Sequence, residues 1–203
     1  MSGPVPSSAA LAAQLESPDF NTRALALAEL VRRGLEAAPA LRGALESSSN
    51  EAQTEALRGL AEIADPASAD SFAFFLAAPD ERLRAYAARG LARIGDARAR
   101  DALVRTIDDF PDDLHYQFTP AVVELIALGP AALPLVAPLL SASGATTRER
   151  AFFIIRRIVE ASPALEPWDT LVAELGAFHH AAPDAEREPV AQQWRAWIAA
   201  HVA

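Results

Sequence analysis

The fold is decided by one stretch in the middle of the chain: Arg84-Ala85-Tyr86-Ala87-Ala88-Arg89-Gly90-Leu91-Ala92-Arg93-Ile94-Gly95-Asp96-Ala97-Arg98. Its apolar residues Ala87, Leu91 and Ile94 are spaced by four and then by three positions. This spacing places the three side chains on one face of an α-helix. The stretch therefore predicts a helix with one buried stripe.

The same pattern recurs along the chain about every thirty residues, a period typical of helical repeats. The register is marked by an apolar residue near the end of a preceding helix in five repeats: Leu15, Leu45, Leu76, Ile107 and Leu140. An apolar residue also lies four positions before each marker: Leu11, Leu41, Phe72, Leu103 and Val136. The stripe of the second helix follows at offsets 11, 15 and 18, where Arg33 is the one misfit. Each repeat therefore predicts two helices joined by a short turn.

These repeats predict an all-α fold, because a lone helical hairpin buries both its sides only by stacking on its neighbours. We expect an α-solenoid of about six hairpins in a right-handed superhelix. A flexible segment, 1–8, would precede a single domain, 9–203, whose repeats are 9–39, 40–69, 70–99, 100–132, 133–163 and 164–203. The sixth repeat is atypical, and its large aromatic residues are interpreted as a cap on the exposed end.

Composition narrows the class of protein. The chain is 51% hydrophobic with a net charge of −9 and no cysteine. Overall acidity argues against a dedicated nucleic-acid binder, and the lack of cysteine excludes disulfides, thiolate metal sites and a cysteine nucleophile. The longest apolar run, 127–140, is shorter than the roughly 20 residues of a membrane span. The N-terminus does not read as a signal peptide, so we expect a soluble, cytoplasmic protein.

Two stretches resemble bacterial HEAT-like repeats of the phycobilisome-lyase type. The stretch 84–98 resembles their second helix and exit turn, and Leu128-Gly129-Pro130-Ala131-Ala132-Leu133-Pro134 resembles the start of their first helix. The resemblance implies the fold rather than an activity, since such repeats serve many unrelated functions, and the chain has no bilin-specific motif. It also implies a structural ladder of an arginine with a nearby aspartate at the eighth position after the marker, held here by Arg23, Arg84 and Arg148.

The fourth repeat departs from this pattern, because an acidic segment stands where a short turn is expected. Pro120 is tolerated in the first turn of a helix, so the second helix should begin near Thr119. The segment contains the only dense cluster of candidate metal ligands: Asp108, Asp109, Asp112, Asp113 and His115. It lacks the spacing of an EF-hand, and a solvated turn is the favoured interpretation over a metal site.

One stripe of the second helices, at offsets 10, 13 and 17, is the candidate binding surface. It carries six arginines and three glutamates in a chain that is acidic overall. Arginine and aromatic residues are enriched in binding hot spots. The candidate partner-binding residues are Arg58, Tyr86, Arg89, Arg93, Arg150, Phe153 and Arg157. Arginine and glutamate alternate at offset 17, so a salt-bridge ladder between repeats is the favoured interpretation of that offset, and partner binding is the functional alternative.

The function expected from these features is a protein-binding module or adaptor without enzymatic activity, cofactor or resident metal. No His-Glu pair, readable catalytic triad or Gly-rich phosphate loop occurs in the sequence. The partner would be a protein, with an acidic helix or tail as the candidate ligand. Two alternatives remain: a toxin-neutralising or inhibitory protein that acts through its acidic surface, and a lyase-like chaperone or small-ligand binder. We do not expect binding to nucleic acid or membranes.

Overall fold

The computed structural model describes residues 5–112 and 114–202. Within these ranges the protein has twelve α-helices and no β-strand, which confirms the predicted all-α class. The helices are α1 Ser8–Ala13, α2 Phe20–Arg33, α3 Ala38–Ala44, α4 Asn50–Ile63, α5 Ala69–Phe75, α6 Glu81–Arg93, α7 Ala99–Arg105, α8 Pro120–Ala127, α9 Leu133–Val136, α10 Ala145–Ala161, α11 Trp168–Leu175 and α12 Asp184–His201. Short 3₁₀ segments extend or link them at Gln14–Glu16, Gly34–Glu36, Pro66–Ser68, Gly129–Ala132 and Ala137–Ser141.

The first compact unit ends at Ala102 and contains three helical hairpins. In each hairpin a shorter helix is followed by a longer one, and α2, α4 and α6 pack side by side in that order. The helices α1 and α3 pack against each other in the same way. This arrangement is the stacking of hairpins that defines an α-solenoid.

The core of this unit follows the predicted stripes. The side chains at the repeated positions before the marker and at offset 15 are buried: Leu11, Leu41, Phe72, Leu30, Leu60 and Leu91. Gly90 faces the ring of Phe72, where a Cβ atom would lie only 2.3 Å from the nearest ring carbon. A residue without a side chain is therefore what allows this aromatic ring into the core at this position.

Helix starts in the first unit are fixed by short polar side chains. Asp19 precedes α2, and one of its carboxylate oxygens accepts from the backbone N–H of Thr22 at 2.8 Å. Ser49 and Asp80 cap α4 and α6 in the same manner. Such caps satisfy backbone donors that have no partner inside the helix, so each hairpin turn sets where its second helix begins.

The misfit Arg33 has a structural explanation. Its side chain is mostly buried and pairs with Glu29 at 3.0 Å. Its guanidinium also donates to the carbonyl oxygen of Pro6 at 2.8 Å and to the hydroxyl of Ser8 at 3.1 Å. The charge therefore fastens the start of α1 to the end of α2. Residues 1–4 of the segment predicted to be flexible lie outside the described residues.

The second compact unit begins at Leu103. Here α10 packs against α8 and α9, and α12 packs against α9 and the 3₁₀ segment that follows it. The prediction for α8 is confirmed: the helix begins at Pro120, and the hydroxyl of Thr119 accepts from the backbone N–H of Val122 at 3.1 Å. The hydroxyl also donates to the carbonyl oxygen of Ile107 at 3.0 Å.

Aromatic rings close the C-terminal end of the second unit. Trp194 is fully buried, stacks on Trp168 at 5.2 Å and meets Phe152 edge-on at 5.3 Å. Its indole N–H donates to the carbonyl oxygen of Gly176 at 3.0 Å. These contacts are internal, as the interpretation of the aromatic residues as a cap requires.

Candidate protein-binding surface

The residues brought together in the first unit lie on the exposed faces of α4 and α6. The side chain of Arg58 is 48% exposed, and its guanidinium lies 3.6 Å from the carboxylate of Glu55. Tyr86 is half-buried beside them. Burial raises the pKa of Tyr86, and the charges of Arg58, Glu55 and Arg89 also act on its hydroxyl. The hydroxyl therefore stays protonated and neutral at physiological pH.

Arg89 completes this cluster from α6. Its guanidinium pairs with the carboxylate of Glu62 on α4 at 2.9 Å, and the arginine side chain is 19% exposed. The pair joins two neighbouring second helices, as a charge ladder between repeats would. Arg93 follows one helical turn later and is exposed. We define the basic face as Arg58, Tyr86 and Arg89.

Arginines and glutamates at offset 17 were predicted to pair with each other between repeats. The three described pairs of these residues have other partners. Arg32 pairs within its own helix, with Glu29 at 2.7 Å. Glu62 pairs with an offset-13 arginine, Arg89. Arg157 pairs within its own helix as well, with Glu160 at 3.8 Å. Two of these three pairs lie within one helix at helical spacing, and the pair of Glu62 with Arg89 joins two repeats at another offset.

In the second unit the predicted residues share α10, but they differ in access. Arg150 is 4% exposed at its side chain and pairs with Asp108 at 2.5 Å. Phe153 packs edge-on against Phe118 at 5.2 Å between ring centres. Only Arg157 keeps an exposed side chain. Arg150 is thus bonded to Asp108 within the unit, and its guanidinium is almost inaccessible to a partner.

The arginines predicted to form a ladder at the eighth position instead bind backbone carbonyls of the turn in their own hairpin. Arg23 donates to the carbonyl oxygens of Ser17 and Pro18, at 2.9 and 3.1 Å. Arg84 and Arg148 repeat this bonding pattern with the carbonyls five and six residues before them. These carbonyls belong to the turn that precedes the second helix, so the recurring bonds hold the turn in every repeat that carries the arginine.

Carboxylates of the acidic segment accept hydrogen bonds from other groups of the protein. Asp108 accepts from Thr147 as well as from Arg150. Asp112 accepts from the backbone N–H groups of His115 and Leu114, which hold the pKa of its carboxyl below the usual range. In the described part of the chain, no three acidic or histidine side chains are grouped so that they could hold a metal ion. The candidate ligand Asp113 lies outside the described residues.

The sequence patterns missed the exposed apolar side chains of this loop. Leu114 is 86% exposed and Tyr116 is 53% exposed. The signal was present as two large residues inside an acidic insertion, at positions that no repeat offset requires to be buried. Among the described helices, none combines the length and the apolar character needed to cross a bilayer.

No family model matches the chain, and no curated protein matches it. Among solved structures, the chain is similar to the complex of CpcE and CpcF of phycocyanin lyase from Nostoc sp. PCC7120. The TM-score is 0.52 at 21% identity, covering 86% of this chain and 72% of that one. An engineered protein is also similar, with a TM-score of 0.49 at 20% identity over 97% and 98% of the two chains.

The likeness to the Nostoc complex supports a helical-repeat fold for this chain. It also corrects one expectation. The prediction that the chain is not an enzyme is contradicted, because a phycocyanin lyase is built on this kind of fold. The absence of familiar catalytic motifs therefore does not exclude an activity, since a repeat fold does not determine chemistry.

Proposed function

We propose that the chain binds an acidic segment of a protein partner through the basic face, Arg58, Tyr86 and Arg89. The observation that carries the proposal is the state of Arg58. Its side chain is half exposed, and among the described residues its ionic partner, Glu55, lies at 3.6 Å, beyond the length of a strong charge-assisted hydrogen bond. A partner carboxylate would therefore find its donors accessible.

Tyr86 and Arg89 supply what a single exposed arginine lacks. The half-buried tyrosine ring offers rigid apolar area with a neutral hydroxyl, and such aromatic residues are frequent anchors of interfaces. Arg89 is already held by Glu62 at 2.9 Å, so less side-chain entropy is lost when a second carboxylate approaches. The face combines one available cation, one positioned cation and one aromatic anchor.

Charge and fold agree with a protein as ligand. The face presents two arginines on a chain with a net charge of −9, and each arginine lies beside a glutamate. An acidic segment would therefore bind by competing with Glu55 for the guanidinium of Arg58. The similar Nostoc structure is a complex of CpcE and CpcF, which shows that a chain of this kind of fold can assemble with a protein. The acidic helix or tail expected from the sequence suits this face.

The test is affinity capture with the tagged full-length chain from its own cells, followed by mass spectrometry. The double variant Arg58→Gln/Arg89→Gln removes both charges without introducing a repulsive one. Arg100→Gln is the matched control, because Arg100 is exposed on α7, a first helix. We expect the wild-type chain and the control to recover a common protein whose yield falls about tenfold or more with the double variant.

The recovered protein then allows a direct measurement with a synthetic peptide from its most acidic segment. Binding to the wild-type chain should weaken as salt is raised, since part of the attraction is between charges near the surface. Equal recovery by all three chains, with unchanged far-ultraviolet circular dichroism, would refute the proposal. Loss of the partner with the control as well would also refute it.

A further inference from the structure

The loop between α7 and α8 is anchored at its base although it is longer than the other hairpin turns. We define the finger as residues 108–112 and 114–118. The backbone N–H of Asp112 donates to the carbonyl oxygen of Phe118 at 2.8 Å, and the N–H of Phe118 donates to that of His115 at 2.8 Å. Long loops in compact domains are commonly functional, and insertions in repeat proteins often lie on a binding face.

A buried arginine holds the finger against α10. The guanidinium of Arg150 donates to the carbonyl oxygen of Tyr116 through Nη2 at 2.7 Å and Nε at 3.3 Å. Its Nη1 pairs with Asp108. Replacing Arg150 would remove the donor shared by the carbonyl oxygen of Tyr116 and the half-exposed carboxylate of Asp108. The finger is therefore fixed by the same residue that the sequence pattern assigned to the binding stripe.

The anchored loop nevertheless presents apolar side chains to solvent. Leu114 is 86% exposed, the highest value among the exposed large hydrophobic side chains of the described residues, and Tyr116 is 53% exposed. The hydroxyl of Tyr116 donates to the carboxylate of Glu149 at 2.6 Å, which fixes the direction of its ring. An isolated exposed leucine is ordinary, whereas one held beside an oriented aromatic ring on a bonded loop is a preorganised contact.

Two carboxylates lie close to this apolar tip, and His115 contacts one of them, Asp112, at 3.2 Å. The pKa of Asp112 is lowered by the backbone N–H groups it caps, so its carboxylate is ionised at physiological pH, and it remains half exposed. Glu149 adds a second carboxylate beside Tyr116. A partner that receives Leu114 must tolerate these charges, and a basic rim would do so. A bilayer with anionic lipids would instead repel them.

We propose that the finger inserts Leu114 into an apolar pocket of a partner protein whose rim carries lysine or arginine. This interface goes beyond the proposed function, because it lies in the second unit and uses no residue of the basic face. Tyr116 forms its second contact, and Arg150 is a positioning residue that keeps the loop in its bound shape. The partner chemistry is the reverse of that proposed for the basic face.

The test places a photo-crosslinking benzophenone amino acid at position 114 of the full-length chain in its own cells. The matched control places it at Leu35, which is 59% exposed and belongs to neither proposed surface. We expect crosslinked partner peptides that combine apolar residues with lysine or arginine, at several times the yield found from position 35. Equal yields, lipid or nucleic-acid adducts, or peptides without basic residues would overturn the proposal.

The purified crosslinked protein then serves as the probe for affinity. Leu114→Ser should weaken binding about tenfold or more, as expected for losing a buried leucine contact, whereas Leu35→Ser should leave it within twofold. Arg150→Gln should weaken binding with Leu114 unchanged, and a melting curve checks that this variant folds. Unchanged affinity for Leu114→Ser would refute the proposed role of the finger without bearing on the proposed role of the basic face. The double variant Arg58→Gln/Arg89→Gln tests the basic face separately.

Discussion

A glycine-to-alanine series across the first unit tests the packing of first helices against second helices. In Gly90→Ala the new methyl carbon would lie 2.3–2.5 Å from three ring carbons of Phe72. Ordinary contacts begin near 3.4 Å, so the ring or the helix must move by about 1 Å. Phe72 is fully buried, and its rigid ring has no flexible end that could move away from the new methyl group.

The expected cost follows from that overlap. Overpacking a tight core typically destabilises by about 1–3 kcal/mol, whereas alanine in place of glycine within a helix gains about 0.5–1 kcal/mol. Because the overlap at 2.3–2.5 Å is severe, the overpacking cost lies in the upper part of its range, and the net loss for Gly90→Ala is about 1–2 kcal/mol. At Gly43 a Cβ meets nothing within 4 Å, so Gly43→Ala should be neutral or stabilising. At Gly59 the nearest atoms are leucine methyl groups at 2.9–3.2 Å, which predicts an intermediate value.

Urea unfolding of the three full-length variants, monitored by far-ultraviolet circular dichroism, measures their relative stabilities. The midpoint should fall for Gly90→Ala, change little for Gly59→Ala and stay or rise for Gly43→Ala. A Gly90→Ala chain as stable as the wild type would refute the packing described for Phe72. A Gly43→Ala chain destabilised as much as Gly90→Ala would refute the space described at α3.

Three other changes test the bonds inside the units. Arg148→Met should lower the free energy of unfolding by about 2–3 kcal/mol, because the carbonyl oxygens of Ala142, Ser143 and His180 lose a charged donor. An unchanged melting temperature would contradict these bonds. Trp194→Phe should cost about 1–3 kcal/mol by leaving the carbonyl oxygen of Gly176 without its donor; a melt indistinguishable from wild type would contradict the bond. Hydrogen bonding to Arg98 lowers the pKa of Asp96 from 3.8 to about 2, so its contribution is present above pH 4 and is lost as pH falls towards 2. The Asp96→Asn variant should lose less stability across that window, and parallel pH profiles would count against the pair.

Periodicity predicted the core because burial repeats with the hairpin. Arg33 broke the stripe at offset 18, and its charge is accommodated by Glu29 and by the start of α1. Pro120 indicated the start of α8 correctly, since proline has a strong position-specific preference at a helix start. Local rules of this kind operate within a few residues, where the sequence carries the whole signal.

Solvent access at the site could not be read from spacing. Arg150, Phe153 and Arg157 share one face of α10, so the pattern treats them as equivalent. The structure buries Arg150 because the finger folds over it, and that contact joins residues more than thirty positions apart. An insertion interrupts the repeat at this point, and the helical period contains no information about where inserted residues pack.

Repetition itself separates structural arginines from candidates for binding. Arg23, Arg84 and Arg148 make the same pair of carbonyl bonds at the same offset in three repeats. A bond pattern that recurs wherever the residue occurs is explained by the hairpin alone, because every hairpin turn has backbone carbonyls that need a donor. Arg58 has no such recurring bonds, and its offset holds alanine, arginine, proline or phenylalanine in the other repeats. Stability of the hairpin does not require a half-exposed cation at that offset, which is why the proposed binding face is built on Arg58 rather than on the recurring arginines.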